Sequence, residues 1–319
     1  MQTVGVITAA IFAVFCGIND GGALIVTSLK IAVRPLTAAL VLAAAVALVP
    51  VVFGAEVART LSHRLVGFGG PDSATAVDLA VGGAIVVVVL LSWRGLPTSL
   101  TLALVGGIVG VGLGGGLPVS GGWILTVLVL AAAAPLIGMV IAVGVTRLWR
   151  RLPLRMAVGE QARRVHPVGL AMLAFAYGAN DGQKILGVFA LEAVAGSPFD
   201  PDDASVWLLL AIGGLFLVGT LIGTARTGDR LGAAVRTLTP VDAVTAQLSS
   251  ALAVTGSALV GAPASMTQSL TGALIGSGLA HSGARVRWQH AVAILAAWLL
   301  TFPLAVALVA VPAAFLIRS

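Results

Sequence analysis

The chain alternates long apolar stretches with short polar ones, and the apolar stretches predict its architecture. Runs of about 20 residues, long enough to carry a helix across a bilayer, can be marked along its whole length. They fall near 4–29, 36–54, 77–92, 97–116 and 123–146, then near 166–195, 205–224, 241–260, 263–280 and 289–316. The polar positions between them are rich in arginine. If residue 1 lies outside, the loops 30–35, 93–96, 147–165, 225–240 and 281–288 fall inside. Those loops hold fourteen Lys and Arg, against three (Arg59, Arg64 and Arg318) in the outer segments. Asp200, Asp202 and Asp203 crowd one outer loop. This is the positive-inside bias of a membrane protein, and it places both termini outside.

Five crossings per half would make the second half enter the bilayer from the opposite face. Copies related in sequence but opposite in orientation are inverted repeats, which put a shared site near the midplane. The expected organisation is a first transmembrane repeat over 1–146, a basic cytoplasmic linker over 147–165 with Pro153 at its centre, and a second repeat over 166–319. The expected fold class is an all-α polytopic membrane protein of two inverted repeats. Broken helices and helical hairpins would meet at its midplane site. The inversion needs an odd number of crossings per half. If 97–116 and 263–280 are re-entrant, the count must change without losing that parity.

Composition agrees: the chain is 59% hydrophobic and 9% charged, against about 25% charged in soluble domains. Its net charge of +6 is a topology signal carried by loop arginines, not a nucleic-acid surface. The single cysteine, Cys16, excludes a disulfide framework and reads as a small packing residue. No basic residue precedes Lys30, so the chain does not begin like a cleaved signal peptide.

Two short motifs interrupt the apolar pattern, each twice. The first is Gly17-Ile18-Asn19-Asp20-Gly21, repeated as Gly178-Ala179-Asn180-Asp181-Gly182. An ionisable residue at bilayer depth costs about 2.5–3.5 kcal/mol on insertion scales and marks a functional site by default. Gly on both sides is the composition of an unwound helix, tolerated in a membrane only around a cavity or packed protein. Freed carbonyls with Asn and Asp oxygens are hard ligands suited to Na⁺, and the carboxylates can alternatively carry a proton.

The second motif follows 78 residues after Asn19 and 83 after Asn180, counted to its proline. Its copies are Gly95-Leu96-Pro97-Thr98-Ser99-Leu100-Thr101, continuing to Gly106 and Gly110, and Gly261-Ala262-Pro263-Ala264-Ser265-Met266-Thr267, continuing to Gly272 and Gly276. Gly-x-Pro ahead of an apolar run marks a helix start, where proline gives up a donor that would be orphaned anyway. A helix N-terminus with exposed N–H groups binds oxyanions. Two such ends from inverted halves can hold one phosphate or sulfate.

These residues resemble the inorganic phosphate transporter (PiT) family, whose hallmark is a duplicated Gly-Ala-Asn-Asp motif, each copy followed by a Pro-Val-Ser-Thr-Thr-His type segment. Gly178 through Lys184 is close to the bacterial form, and Thr239-Pro240 through Ser250 is similar to the stretch leading into the second proline motif. The resemblance implies symport of inorganic phosphate with Na⁺ or H⁺ by alternating access, in the plasma membrane. It implies substrate contacts from Ser99, Thr101, Ser265, Thr267, Asn19 and Asn180. Coupling-ion contacts would come from Asp20, Asp181 and Gln247, with the two carboxylates as the Na⁺ ligands. Departures exist: Ala23 stands where the family usually has Asn. Leu100 and Met266 replace the inner Thr, and Leu102 and Gln268 replace the His. They bear on cation identity more than on the anion site.

Blander roles compete at several positions. Gly106, Gly110, Gly272 and Gly276 suit helix packing. The four Ser/Thr hydroxyls can bond back to their own helix carbonyls. Lys184, three residues after Asp181, shares its helix face and is either a structural ion pair or a cation for the anion site. Gln247 can equally join helices. Glu192 is expected near the outer surface and solvated, and the four histidines show no metal-ligand spacing.

Sulfate permease of the same fold is the alternative function. Phosphate keeps a proton near neutral pH and can donate to a carboxylate, whereas sulfate cannot. An ion channel needs no paired broken helices, and no hydrolase or metalloprotease motif supports an enzyme. The expected partners are phosphate, Na⁺ or H⁺, the bilayer and a second copy in a homodimer.

Overall fold

The computed structural model describes residues 3–31, 33–68, 72–94, 98–151, 156–194, 203–231, 238–281 and 286–317. Gly95, Leu96 and Pro97 of the first proline motif lie outside the described residues, as do Asp200 and Asp202. Every apolar run becomes helix, and no strand forms among the described residues. Helix α1 (Thr3–Cys16) continues through a π-helical turn, Gly17–Gly21, into α2 (Gly22–Leu29). Then come α3 (Pro35–Phe53), the short α4 (Glu56–Arg59) with a second π turn (Thr60–Arg64), α5 (Ser73–Trp93), α6 (Leu100–Gly114) and α7 (Gly121–Arg151). The second half repeats the order. Helix α8 (Val158–Tyr177), a π turn (Gly178–Gly182) and α9 (Gln183–Val194) are followed by α10 (Val206–Leu231), α11 (Pro240–Leu259), α12 (Met266–His281) and α13 (Trp288–Leu316). Six of these stretches are long and apolar enough to cross a membrane by length and composition.

The Asn-Asp helices are interrupted by π turns rather than unwound. The residues flanking each turn keep right-handed helical dihedrals, and the Gly22 N–H reaches back to the Gly17 carbonyl. A π turn inserts one residue into the ladder and re-aims the side chains around it, a device common at functional sites.

Five crossings per half is corrected to three plus a re-entrant hairpin. Helix α7 runs from beside the end of α6 to the end of α12. At its start Ser120 N–H bonds the Leu65 carbonyl and the Cβ direction of Gly112 meets Val119; at its end Arg150 bonds the Ala280 carbonyl. That separation is about 46 Å for 31 residues, a full bilayer with its headgroups. The pairs α5–α6 and α11–α12 therefore open at opposite faces. Yet Thr101, in the first turn of α6, donates to the carbonyl of Ala264 just ahead of α12, at 3.1 Å. The two hairpins meet tip to tip inside the bilayer, and α6 and α12, of 15 and 16 residues, each cover about half of it. Three is still odd, so the inversion stands.

Small residues let each half grip the other. A Cβ on Gly106 or Gly110 would fall 2.7 Å from the backbone carbonyls of Phe302 and Val306 on α13. On the other half, a Cβ on Gly272 or Gly276 would collide with the carbonyls of Pro135 and Met139 on α7. The motif glycines do the same: Gly17 lies against Phe216 and Thr220 on α10, and Gly178 against Ala45 and Val49 on α3. So α6 packs on the second half's last helix and α12 on the first half's. The packing role read for these four glycines is what the structure shows.

Glu192 is the misplaced residue. It is buried, 3% exposed, packed against Gly5 at the start of α1. Burial between α1 and α9 overrides its nearness to the end of the sequence run.

Gly272→Ala should displace α12 from α7, because its Cβ would meet immovable backbone. Overpacking of this kind costs about 1–3 kcal/mol. Thermal unfolding in detergent should show a clear loss for Gly272→Ala and none for Gly144→Ala, whose Cβ enters open space.

Candidate functional site

The two hairpin tips and the two Asn-Asp turns converge in the interior. On the second half, Asn180 is fully buried and clamps the tip of α11–α12. Its Nδ2 donates to the Ala264 carbonyl at 2.7 Å, and its Oδ1 accepts from the Ala264 N–H at 2.9 Å. The same Nδ2 donates to Asp181 Oδ2 at 2.9 Å. On the first half, Asn19 donates to Asp20 Oδ1 at 2.7 Å and accepts from the Thr98 hydroxyl at 3.2 Å. Thr98 and Ala264 occupy the same motif position, so each Asn holds the hairpin tip of its own half.

Lys184 crosses between the halves. Its ammonium pairs with Asp181 Oδ1 and donates to the Thr101 hydroxyl at 2.6 Å and the Ala264 carbonyl at 2.9 Å. Three protein oxygens surround the ammonium, two of them as hydrogen-bond acceptors, and it is 3% exposed. The shared helix face expected for Asp181 and Lys184 is observed. Asp20 lies within Coulombic reach of both Asp181 and Lys184, and its Oδ2 stands 3.5 Å from the Tyr177 hydroxyl.

The serines sit where helix starts need them. Ser99 is the N-cap of α6 and accepts from the Leu102 N–H at 3.2 Å; Ser265 accepts from the Gln268 N–H at 3.4 Å. Capping takes one of the orphan donors of each first turn and leaves the hydroxyl protons for other acceptors. Ser265 and Thr267 lie 3.1 Å apart. Thr101 differs, since its proton goes to Ala264. Ser99, Ser265 and Thr267 thus stand buried at the starts of α6 and α12, whose tips meet through Thr101 and Ala264.

Gln247 is elsewhere. It joins helices, with Nε2 donating to Thr27 at 2.9 Å and Oε1 lying 3.0 Å from His166 Nδ1. The structure does not bring it to either carboxylate.

Four groups at the site are beyond what the sequence reading named. Thr98 was hidden because its counterpart is Ala264, so the position did not recur as a polar pair. The Ala264 carbonyl is backbone and carries no side-chain signal. Tyr177, packed on Phe216 with ring centroids 5.2 Å apart, carried one: it is the chain's single tyrosine and precedes Gly178 directly. Gln183 stands next to the second motif. It bonds the Ala179 carbonyl at 2.6 Å, within that π turn, and accepts from the Val57 N–H of α4 at 2.8 Å.

At the rim, α4 meets the tip of the second hairpin. Gly261, at φ +72°, lies against Glu56 and Arg64, where a left-handed backbone and close approach both favour glycine. Arg64 and Arg59 bond Glu56 at 2.6 and 2.5 Å, and Arg64 above all holds that carboxyl below the usual range.

Inverted halves, paired re-entrant hairpins and buried carboxylates at the junction define a membrane transport protein. The profile of the phosphate transporter family matches residues 16–172 and again 157–309, one match per half. The chain belongs to that family. It is 31% identical over 314 residues to a Mycobacterium leprae protein described as a "probable low-affinity inorganic phosphate transporter", covering 94% of this chain and 74% of that one. A Bacillus subtilis protein of the same description is 26% identical over 313 residues, covering 96% and 94%. A solved structure described as the sodium-dependent phosphate transporter shares the fold, with TM-score 0.79 over 98% of this chain and 97% of that one, at 20% identity.

Proposed function

We propose that this chain imports inorganic phosphate by symport with Na⁺, or with H⁺ in its place, through alternating access. The observation that carries the proposal is the meeting of two capped helix N-termini, α6 and α12, at buried Asp20, Asp181 and Lys184. Helix N-termini offer N–H donors and positive dipole ends to an oxyanion. Ser99, Ser265 and Thr267 add hydroxyls, while Asn19 and Asn180 hold the tips in place. Thr101 serves the tip-to-tip contact. The names of the relatives and of the structural neighbour support phosphate as cargo and sodium as the coupling ion.

Charge explains why a cation must come along. Phosphate carries nearly two negative charges, and Asp20 and Asp181 add two more. Unit charges 4 Å apart repel by about 4 kcal/mol even at an effective dielectric of 20. Lys184 offsets one of them. The rest calls for a co-bound cation or a proton at Asp20, which Asn19 links to Thr98 at the first hairpin tip. The cation therefore binds before or with the anion.

In proteoliposomes with Na⁺ and pH gradients imposed separately, labelled phosphate should accumulate, and excess sulfate should not block it. Replacing Ser99 and Ser265 together by alanine should raise the apparent KM at least tenfold, since a hydrogen bond to a charged group is worth about 1.5–3 kcal/mol. An unchanged KM would remove these hydroxyls from the anion site.

Asp20→Asn should abolish gradient-driven accumulation while leaving exchange of phosphate across the membrane. Concentrative uptake by this variant at the wild-type level would show that the carboxylate does not couple transport.

The arginine bias orients the chain in the plasma membrane with the α1 and α10 starts outside. In a Cys16→Ser background, Ser205→Cys should react with an impermeant thiol reagent added to intact cells, and Ala157→Cys only after permeabilisation. The opposite pattern would invert the orientation.

A further inference from the structure

The two Asn-Asp turns share Gly-x-Asn-Asp-Gly, and the third position after the aspartate is where they differ in charge: Ala23 on the first half and Lys184 on the second. Around the Lys184 ammonium the structure gathers a carboxylate oxygen of Asp181, the Thr101 hydroxyl at 2.6 Å and the Ala264 carbonyl at 2.9 Å. Carboxylate, hydroxyl and backbone carbonyl are the hard oxygen ligands that an alkali cation takes. They come from three elements, the second Asn-Asp helix and both hairpin tips, so whatever cation sits there ties the halves together. Pseudo-symmetry gives the first half Asp20, Thr98 and Thr267 as counterparts, with an alanine where the amine would be.

We propose that Lys184 is a tethered cation, whose ammonium fills on the second half the position that a mobile coupling cation takes beside Asp20 on the first. This rests on the transport reading above and refines it: the carrier needs one mobile cation fewer per phosphate than two equivalent carboxylates would demand. Asp181 is then a fixed structural charge. An anion-binding lysine would turn its ammonium toward the substrate, whereas this one is surrounded by a carboxylate, a hydroxyl and a carbonyl oxygen of the protein.

The test removes the tether. Lys184→Ala opens the place of the ammonium beside Asp181, so Na⁺ should restore what the lysine supplied. Purified wild type, Lys184→Ala, Lys184→Met and the neutral Asp181→Asn/Lys184→Ala pair are unfolded thermally in NaCl and in N-methyl-D-glucamine chloride, without phosphate. Na⁺ should raise the Tm of Lys184→Ala by clearly more than that of wild type. Lys184→Met fills the volume without a charge, and the double variant has no charge to neutralise; neither should show the extra rise. In proteoliposomes the ratio of Na⁺ to phosphate carried by Lys184→Ala should exceed the wild-type ratio by one.

A Na⁺ response of Lys184→Ala no larger than that of wild type, or an equal rise in the double variant, overturns the proposal. Failure of Lys184→Ala to fold in NaCl while the double variant folds does so too. Wild-type vesicles are assayed in parallel. If they carry no phosphate the transport reading falls, while the Tm comparison still decides the lysine.

Discussion

The carbonyl oxygen of Ala264 accepts from three donors: Asn180 Nδ2, Lys184 Nζ and Thr101 Oγ1. A carbonyl has two lone pairs, so a third donor, one of them a full positive charge, makes this an electrostatic node as much as a hydrogen bond. The donors come from the second Asn-Asp turn and from the opposite hairpin. Losing any one would leave a polar group stranded in a dry interior, which costs about 1–3 kcal/mol and more for a charge. The node fixes where the helix N-termini lie relative to the carboxylates, and hence what the site can bind.

Such a node forms only because the backbones around it come close. Lipid supplies no hydrophobic drive between helices, so packing and polar contacts must hold them. Glycines supply the approach, and they are arranged reciprocally. Gly17 lies on α10 of the other half and Gly178 on α3, while α6 and α12 each lie along a long helix of the opposite half. Each half holds its own hairpin tip through its Asn and packs the hairpin's second helix on the other half. Two interlocked halves of opposite orientation place their shared residues at one junction, which is what the alternating access proposed above requires.

Much of this was legible in the chain. The apolar runs located every long helix, because period and length alone decide that in lipid. The inversion followed from arginine placement, and the Asn-Asp and proline motifs named both turns and both helix starts. What was not legible depended on depth and backbone. The hairpins read as crossings because α5 and α11 are apolar and long enough to span; only contact between tips from opposite faces shows that they turn back. The short α4 and the π turn after it carry Glu56, Arg59 and Arg64 and have no apolar period. Gln247 read as a possible ion ligand because polarity in a membrane helix is suggestive, yet Thr27 and His166 satisfy it.

The asymmetry of the site is its most informative property. Duplication gave both halves an Asn-Asp turn, a capped helix start and a glycine face, and a symmetric carrier would treat its two carboxylates alike. Here the second half is locked. Asn180 and Asp181 are fully buried, and Lys184 closes the network with an ion pair and two hydrogen bonds. The first half is looser: Asn19 is half-buried, its Thr98 partner makes a longer bond, and Asp20 is met by the Tyr177 hydroxyl at the limit of hydrogen bonding. A buried charge met by neutral donors, as Asp20 is by Asn19 and Tyr177, is expensive, so the looser half is the one that gains from taking up a cation. On the transport reading proposed above, coupling then belongs to Asp20 and rigidity to Asp181, a division of labour between two equivalent positions of the repeat.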